Sequence, residues 1–147
     1  MNNKKVFLGG TCVNTSLLWD WRVDLIKMFN DEIIYFDPFI RSWKEDVDWD
    51  ETRQKLEIKE REDSDYTVYV ITSDCSGIYS FCEATADSIR KPKGKCIVAF
   101  IDYRHRFKDD KHFLKSVDAF LNLCKLNGAV ICSSIAEIAK YLNKNVK

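Results

Sequence analysis

One segment, Tyr66-Thr67-Val68-Tyr69-Val70-Ile71, constrains the fold of this chain more than any other. Every residue in it is β-branched or aromatic, with no polar alternation that would leave one face to water. A strand of that kind is covered on both faces, the signature of a parallel sheet whose crossover helices pack on either side. Four further runs have strand character. Val6-Phe7-Leu8 ends at Gly9-Gly10, and Ile33-Ile34-Tyr35-Phe36 stops at Asp37-Pro38, where proline ends ladder pairing. Cys96 to Ile101 and Ala129 to Cys132 complete the set.

Between these runs the apolar period changes to that of a helix. Trp21, Leu25, Met28 and Phe29 share one face before Asn30-Asp31. Asp48-x-x-Glu51 resembles a capping box opening a charged helix to about Arg61, and another helix runs from about Ser80 to Arg90. Phe113, Val117, Phe120, Leu121 and Cys124 form an apolar stripe; Ser134-x-x-Glu137 opens a last helix with Ile135, Ile138, Ala139 and Leu142 inward. Five strands alternating with five helices predict an α/β three-layer sandwich, flavodoxin-like or Rossmann-like, with a five-stranded parallel sheet in the order 2-1-3-4-5. A single domain over residues 1–147 is expected. The longest irregular stretches are Phe39 to Val47 and Asp102 to Asp110, lengths that in a compact domain often serve function.

Charge and cysteine usage narrow the function. With 23 Lys and Arg against 23 Asp and Glu, the chain lacks the basic excess of a general nucleic-acid binder, so a nucleic-acid polymer is not an expected partner. The group Arg90, Lys91, Lys93 and Lys95 reads as a solvated helix end. No apolar run approaches the roughly 20 residues of a membrane span, and no leader is recognised, so the expectation is a cytoplasmic protein. The six cysteines form no C-x-x-C pair, and His105 and His112 stand apart from them. No metal site is expected; Cys96, Cys124 and Cys132 read as small buried hydrophobes.

Ligands of open parallel sheets bind outside the carboxyl ends of the strands where strand order reverses, here between the first and third strands. The loops Gly9 to Thr15, Asp37 to Trp43, Thr72 to Tyr79 and Asp102 to Phe107 reach that point. Gly9 and Gly10 read either as a tight turn after a buried strand or as space for a ligand to approach backbone amides. Gly77 precedes a helix N-terminus, where free N–H groups favour an anion. Glu83 lies one turn into that helix among apolar and small neighbours; it reads as a catalytic carboxylate or, through Ser80-x-x-Glu83, as a helix cap. Asp37 points into the cleft or opens a turn. Asp74 is well placed, whereas Asp65 precedes the third strand and so begins at the opposite edge. Trp21 is a core candidate, and Trp43 and Trp49 are lid candidates.

Lys5-Val6-Phe7-Leu8-Gly9-Gly10-Thr11, Trp21-Arg22, Tyr35-Phe36-Asp37-Pro38, Asp65-Tyr66 and the serine-containing loop leading to Glu83-Ala84 together resemble the nucleoside 2-deoxyribosyltransferase family. The resemblance covers about Lys5 to Phe100, and the family includes deoxynucleoside 5′-monophosphate N-glycosidases. It implies that Glu83 attacks the anomeric carbon of a 2-deoxyribose, expelling the base, and that a second base or water resolves the glycosyl-enzyme. It implies that Asp74 or Asp65 assists the departing base or holds the sugar. Gly9, Gly10, Thr11, Asn14, Asp37, Phe39, Ser76, Gly77 and Ser80 become substrate-binding candidates, Ser76 and Ser80 toward a 5′-phosphate. Arg22 adds charge there or is structural. The implied partners are a small-molecule nucleoside or nucleotide and a second copy of the chain in a homodimer, with no metal or redox cofactor.

One departure stands out: the family's Glu-x-Gly becomes Glu83-Ala84-Thr85. The loss of that glycine supports an alternative, a non-catalytic nucleotide-binding sensor of the same fold in which Glu83 only caps its helix. A phosphoacceptor domain is disfavoured, because Gly9-Gly10 stands where an acidic pair would end the first strand.

Overall fold

The computed structural model describes residues 3–12, 19–39, 51–72 and 77–146. The strands are β1 (Lys4–Gly10), β2 (Ile33–Phe36), β3 (Tyr66–Ile71), β4 (Cys96–Phe100) and β5 (Val130–Cys132). The helices are α1 (Trp21–Ile26), α2 (Glu51–Asp63), α3 (Tyr79–Arg90), α4 (Tyr103–Arg106), α5 (Lys111–Leu126) and α6 (Ile135–Asn145). The strands form one sheet, all pairs parallel, in the order β2-β1-β3-β4-β5. That is the α/β fold and the strand order expected from periodicity. β3 is buried at every position, as its unbroken run of β-formers requires.

Alternate residues of the central strands feed two cores. Val6, Leu8, Val68, Val70, Ile97 and Ala99 face Trp21 and Leu25 of α1 and Ile138, Ala139 and Leu142 of α6. On the other face Phe7, Tyr69, Cys96 and Val98 meet Ala84 of α3 and Cys124 of α5. The period of two in the strands thus becomes two helical layers, and each large side chain removed from water adds about 1.5–3 kcal/mol. Cys96, Cys124 and Cys132 are buried free thiols, with burial holding Cys96 up to about 12 and Cys132 up to about 11.

Three local details differ from expectation. α1 ends at Ile26, so Met28 lies past the helix and is exposed rather than on its inner face. The stretch after β4 is not wholly irregular: Asp102 takes a left-handed conformation (φ 56°), which aspartate tolerates, and starts the single turn of α4. α3 begins at Tyr79 with Ile78 as its N-cap and no side-chain cap bond, so Ser80 lies inside the first turn and the Ser80–Glu83 capping box, one of the two readings of Glu83, does not form. The Ser134 cap does form. Its Oγ accepts from the Glu137 N–H at 3.2 Å, and the Glu137 carboxylate accepts from the Ser133 N–H at 2.7 Å.

Candidate active site

The carboxyl ends of β1 and β3 are latched together. The Thr11 N–H donates to the Val70 carbonyl at 2.9 Å, and the Thr72 N–H donates to Thr11 Oγ1 at 3.1 Å. Gly10 sits at φ +119°, and a Cβ there would lie 2.1 Å from the Val70 oxygen; one at Gly9 would lie 2.5 Å from the Tyr69 ring. A side chain at either position would therefore run into β3, which by itself calls for glycine at both.

Arg22 holds the rest of this rim. Although charged, its side chain is 1% exposed, because the guanidinium spends its donors on the outgoing strand: Nε on the Leu8 carbonyl at 2.9 Å, Nη1 on that of Thr11 at 2.8 Å and Nη2 on that of Gly10 at 3.1 Å. The Asp37 carboxylate lies 3.5 Å from Nε and accepts the Phe39 N–H at 2.9 Å, the turn-opening role that Asp-Pro also suggests. Trp21 donates Nε1–H to the Thr11 carbonyl, and the guanidinium stacks 4.3 Å from its ring and 5.8 Å from that of Phe39. These bonds give Arg22 a structural part at the end of β1.

Glu83 stands on the opposite face of the sheet. Phe81 anchors the first turn of α3 by packing 5.9 Å from Phe100 and 5.0 Å from Phe120, and Ala84 lies against the sheet. That rotation turns Glu83 and Asp87, one helical turn apart, toward α2. The Glu83 carboxylate accepts from Arg61 Nη1 at 2.8 Å, and Arg61 Nε lies 3.6 Å from the Asp87 carboxylate. Tyr69 donates its hydroxyl to Asp87 at 2.6 Å from β3 below. Burial pushes the Glu83 carboxyl up, and the Arg61 guanidinium opposes it. Burial, followed by the Asp87 charge, pushes the Tyr69 phenol well up, so it stays a donor. A cleft of about 370 Å³ between α2 and α3 is lined by Arg61, Glu62, Asp87, Arg90 and Lys91.

The other candidates divide by position. Asp65, expected beside Glu83 in catalysis, is at the far edge of the sheet: it precedes β3, accepts the Lys5 N–H at 2.9 Å and pairs with Lys4 at 3.4 Å. The whole of β3 separates it from the rim at the carboxyl ends of the strands, about 20 Å at the rise of a parallel strand. Gly77 is exposed and Ser80 half-buried at the start of α3. Asn14, Asp74, Ser76, Trp43 and Trp49 lie outside the described residues. Arg61, Asp87 and Tyr69 were not singled out by the sequence reading. The one available signal is the i, i+4 spacing of Glu83 and Asp87; the reach of Arg61 across from α2 is a tertiary fact. Among the described residues no group of three or more metal-ligating side chains is gathered.

Residues 3–103 match the family model described as "Nucleoside 2-deoxyribosyltransferase like". The whole fold is similar to the crystal structure of a conserved protein from Enterococcus faecalis V583, with TM-score 0.58 and 16% identity over 97% of this chain and 98% of that one. No curated protein matches the chain. No helix among the described residues is long and apolar enough to cross a membrane.

Proposed function

Because this chain belongs to the nucleoside 2-deoxyribosyltransferase-like family, we propose that it cleaves or transfers at the N-glycosidic bond of a 2-deoxynucleoside or its 5′-monophosphate, with Glu83 as nucleophile. The ionised Glu83 carboxylate attacks the anomeric carbon, the C–N bond breaks, and the base departs with the bonding electrons and takes up a proton. In the second step a second base, or water, attacks the same carbon and the ester bond to Glu83 breaks, restoring the carboxylate. The leaving base is assisted by Asp74; Ser76 and Ser80, with the N-terminus of α3, receive the sugar or its phosphate. The chain works as a homodimer.

The observation that carries this reading is the state of Glu83 inside the matched region. It is a carboxylate mostly withdrawn from water, not spent on a helix cap, and held by a guanidinium at 2.8 Å. Such a group is oriented as a nucleophile must be, and the guanidinium favours the anion against the burial that raises its pKa. Thr85, where the family glycine is lost, donates its hydroxyl to the Phe81 carbonyl at 2.8 Å within the helix.

The test is free-base release by chromatography from the common deoxynucleosides and their 5′-monophosphates, with and without a second base. The expected result is release that falls to background in Glu83→Ala while the circular dichroism is unchanged. Saturable nucleotide binding by a monodisperse protein that releases no base would instead assign the chain to the sensor class.

A further inference from the structure

Arg61 is the hub of a buried charged cluster that the mechanism above does not by itself require. Its side chain is 10% exposed and bridges two carboxylates one turn apart on α3: Nη1 on Glu83 at 2.8 Å and Nε toward Asp87 at 3.6 Å. The hub is itself braced. Tyr69 donates to Asp87 at 2.6 Å from the sheet, and Lys91 Nζ donates to the carbonyls of Arg61, Glu62 and Ser64 at 3.0, 3.2 and 2.6 Å, docking the end of α2 on the end of α3. A planar guanidinium suits this work, since its donors diverge at fixed angles, whereas an ammonium is a single point.

Holding two helices together does not call for buried charge. Apolar side chains of similar volume do so as well or better, because each buried ion must offset its own desolvation. The cluster does have a use if Glu83 reacts as an anion. We propose that Arg61 is a positioning residue that fixes the place and the charge of the Glu83 carboxylate, and that Asp87, held by Tyr69, fixes Arg61 in turn. This rests on the reading of Glu83 as the nucleophile. The ionisable groups facing Glu83 are Arg61 and Glu57 from α2, Asp87 from its own helix and Tyr69 from β3. Arg61 favours the anion; Asp87 and Glu57 oppose it.

The experiment uses the full chain and two readouts. The first is the pH profile of kcat/KM for base release; the second is the titration of the Glu83 carboxyl carbon by NMR in ¹³C-labelled protein, identified by its loss in Glu83→Gln. Arg61→Met is expected to move the acid limb up by about one pH unit, about a tenfold loss below the limb that recovers above it. Asp87→Asn is expected to move the limb down. Arg61→Lys keeps the limb near its original place but lowers the plateau, and it serves as the charge-retaining variant if Arg61→Met does not fold. A folded Arg61→Met with base release and an unmoved limb would overturn the inference and leave the proposed reaction standing. If no substrate releases base, the reaction is wrong and Arg61 has no catalytic part; the NMR titration then decides separately whether Arg61 sets the Glu83 charge, and an unshifted Glu83 in folded Arg61→Met overturns that too, while if Arg61→Met does not fold, an Arg61→Lys plateau equal to the parent's overturns the positioning role.

Discussion

Replacing Arg22 by lysine keeps the charge and removes the fork, which isolates what the guanidinium does at the end of β1. Three carbonyls at the end of β1 and just beyond it, those of Leu8, Gly10 and Thr11, take one donor each from Arg22, and the side chain is 1% exposed. A lysine nitrogen falls near the position of the guanidinium carbon, so it cannot reach all three with good geometry. Each charged hydrogen bond lost removes about 1.5–3 kcal/mol, and a carbonyl left dry costs about 1–3 kcal/mol. With one bond kept and partial relaxation of the rim, Arg22→Lys should cost about 3 kcal/mol out of a total stability of about 5–15 kcal/mol. The stacking on Trp21 at 4.3 Å adds to the loss. Equilibrium urea unfolding followed by far-ultraviolet circular dichroism measures this, with Arg104→Lys as the comparison, since Arg104 pairs with Asp118 at an exposed site where such pairs contribute little. A cost for Arg22→Lys below about 1 kcal/mol at unchanged m-value would refute the assignment of Arg22 as the clamp of the rim.

Two further outcomes follow from single positions. Gly10→Ala places a methyl 2.1 Å from the Val70 oxygen at φ +119°, and β3 cannot yield without losing the Thr11–Val70 bond; about 3 kcal/mol or more is expected, with Gly77→Ala near neutral because nothing described lies within 4 Å of its Cβ. Equal costs in thermal melts of the two variants would show that the close approach of β1 and β3 is not what selects glycine. The second concerns pH. The Glu83 carboxyl is raised in the folded state, so the stability linked to its protonation is present below the ordinary glutamate range and is lost as pH rises through the folded value. Glu83→Gln cannot undergo that loss, and its Tm relative to the parent should climb between about pH 4 and pH 7. A difference that falls with pH would mean that Arg61 outweighs burial.

Much of the architecture is written in local patterns. The β-branched and aromatic run of β3, the breaks at Gly9-Gly10 and Asp37-Pro38 and the helical stripes of α5 and α6 each act over a few residues, and together they specify five parallel strands, their order and most of the core. The buried Trp21 and the free thiols Cys96, Cys124 and Cys132 were legible for the same reason, since each lies on an apolar stripe or run. The limits of local pattern show at Ser80 and Glu83, where the capping spacing is present but the helix starts at Tyr79, with Phe81 in its first turn packed on Phe100 and Phe120. Asp65 is the opposite case: its place before the third strand in sequence already sets it at the edge of the sheet away from the carboxyl ends of the strands, where it accepts the Lys5 N–H.

The sequence by itself therefore determined the fold, the family to which residues 3–103 belong and the choice of Glu83 as the residue to watch. Only the tertiary structure decided that Arg22 donates to carbonyls at the end of β1 and just beyond it, and that Arg61 reaches Glu83 from a helix 22 residues earlier in the chain. Periodicity reports which face of an element turns to the core. Where a charged side chain finds its partner depends on how two elements pack, and no pattern within either one carries that information.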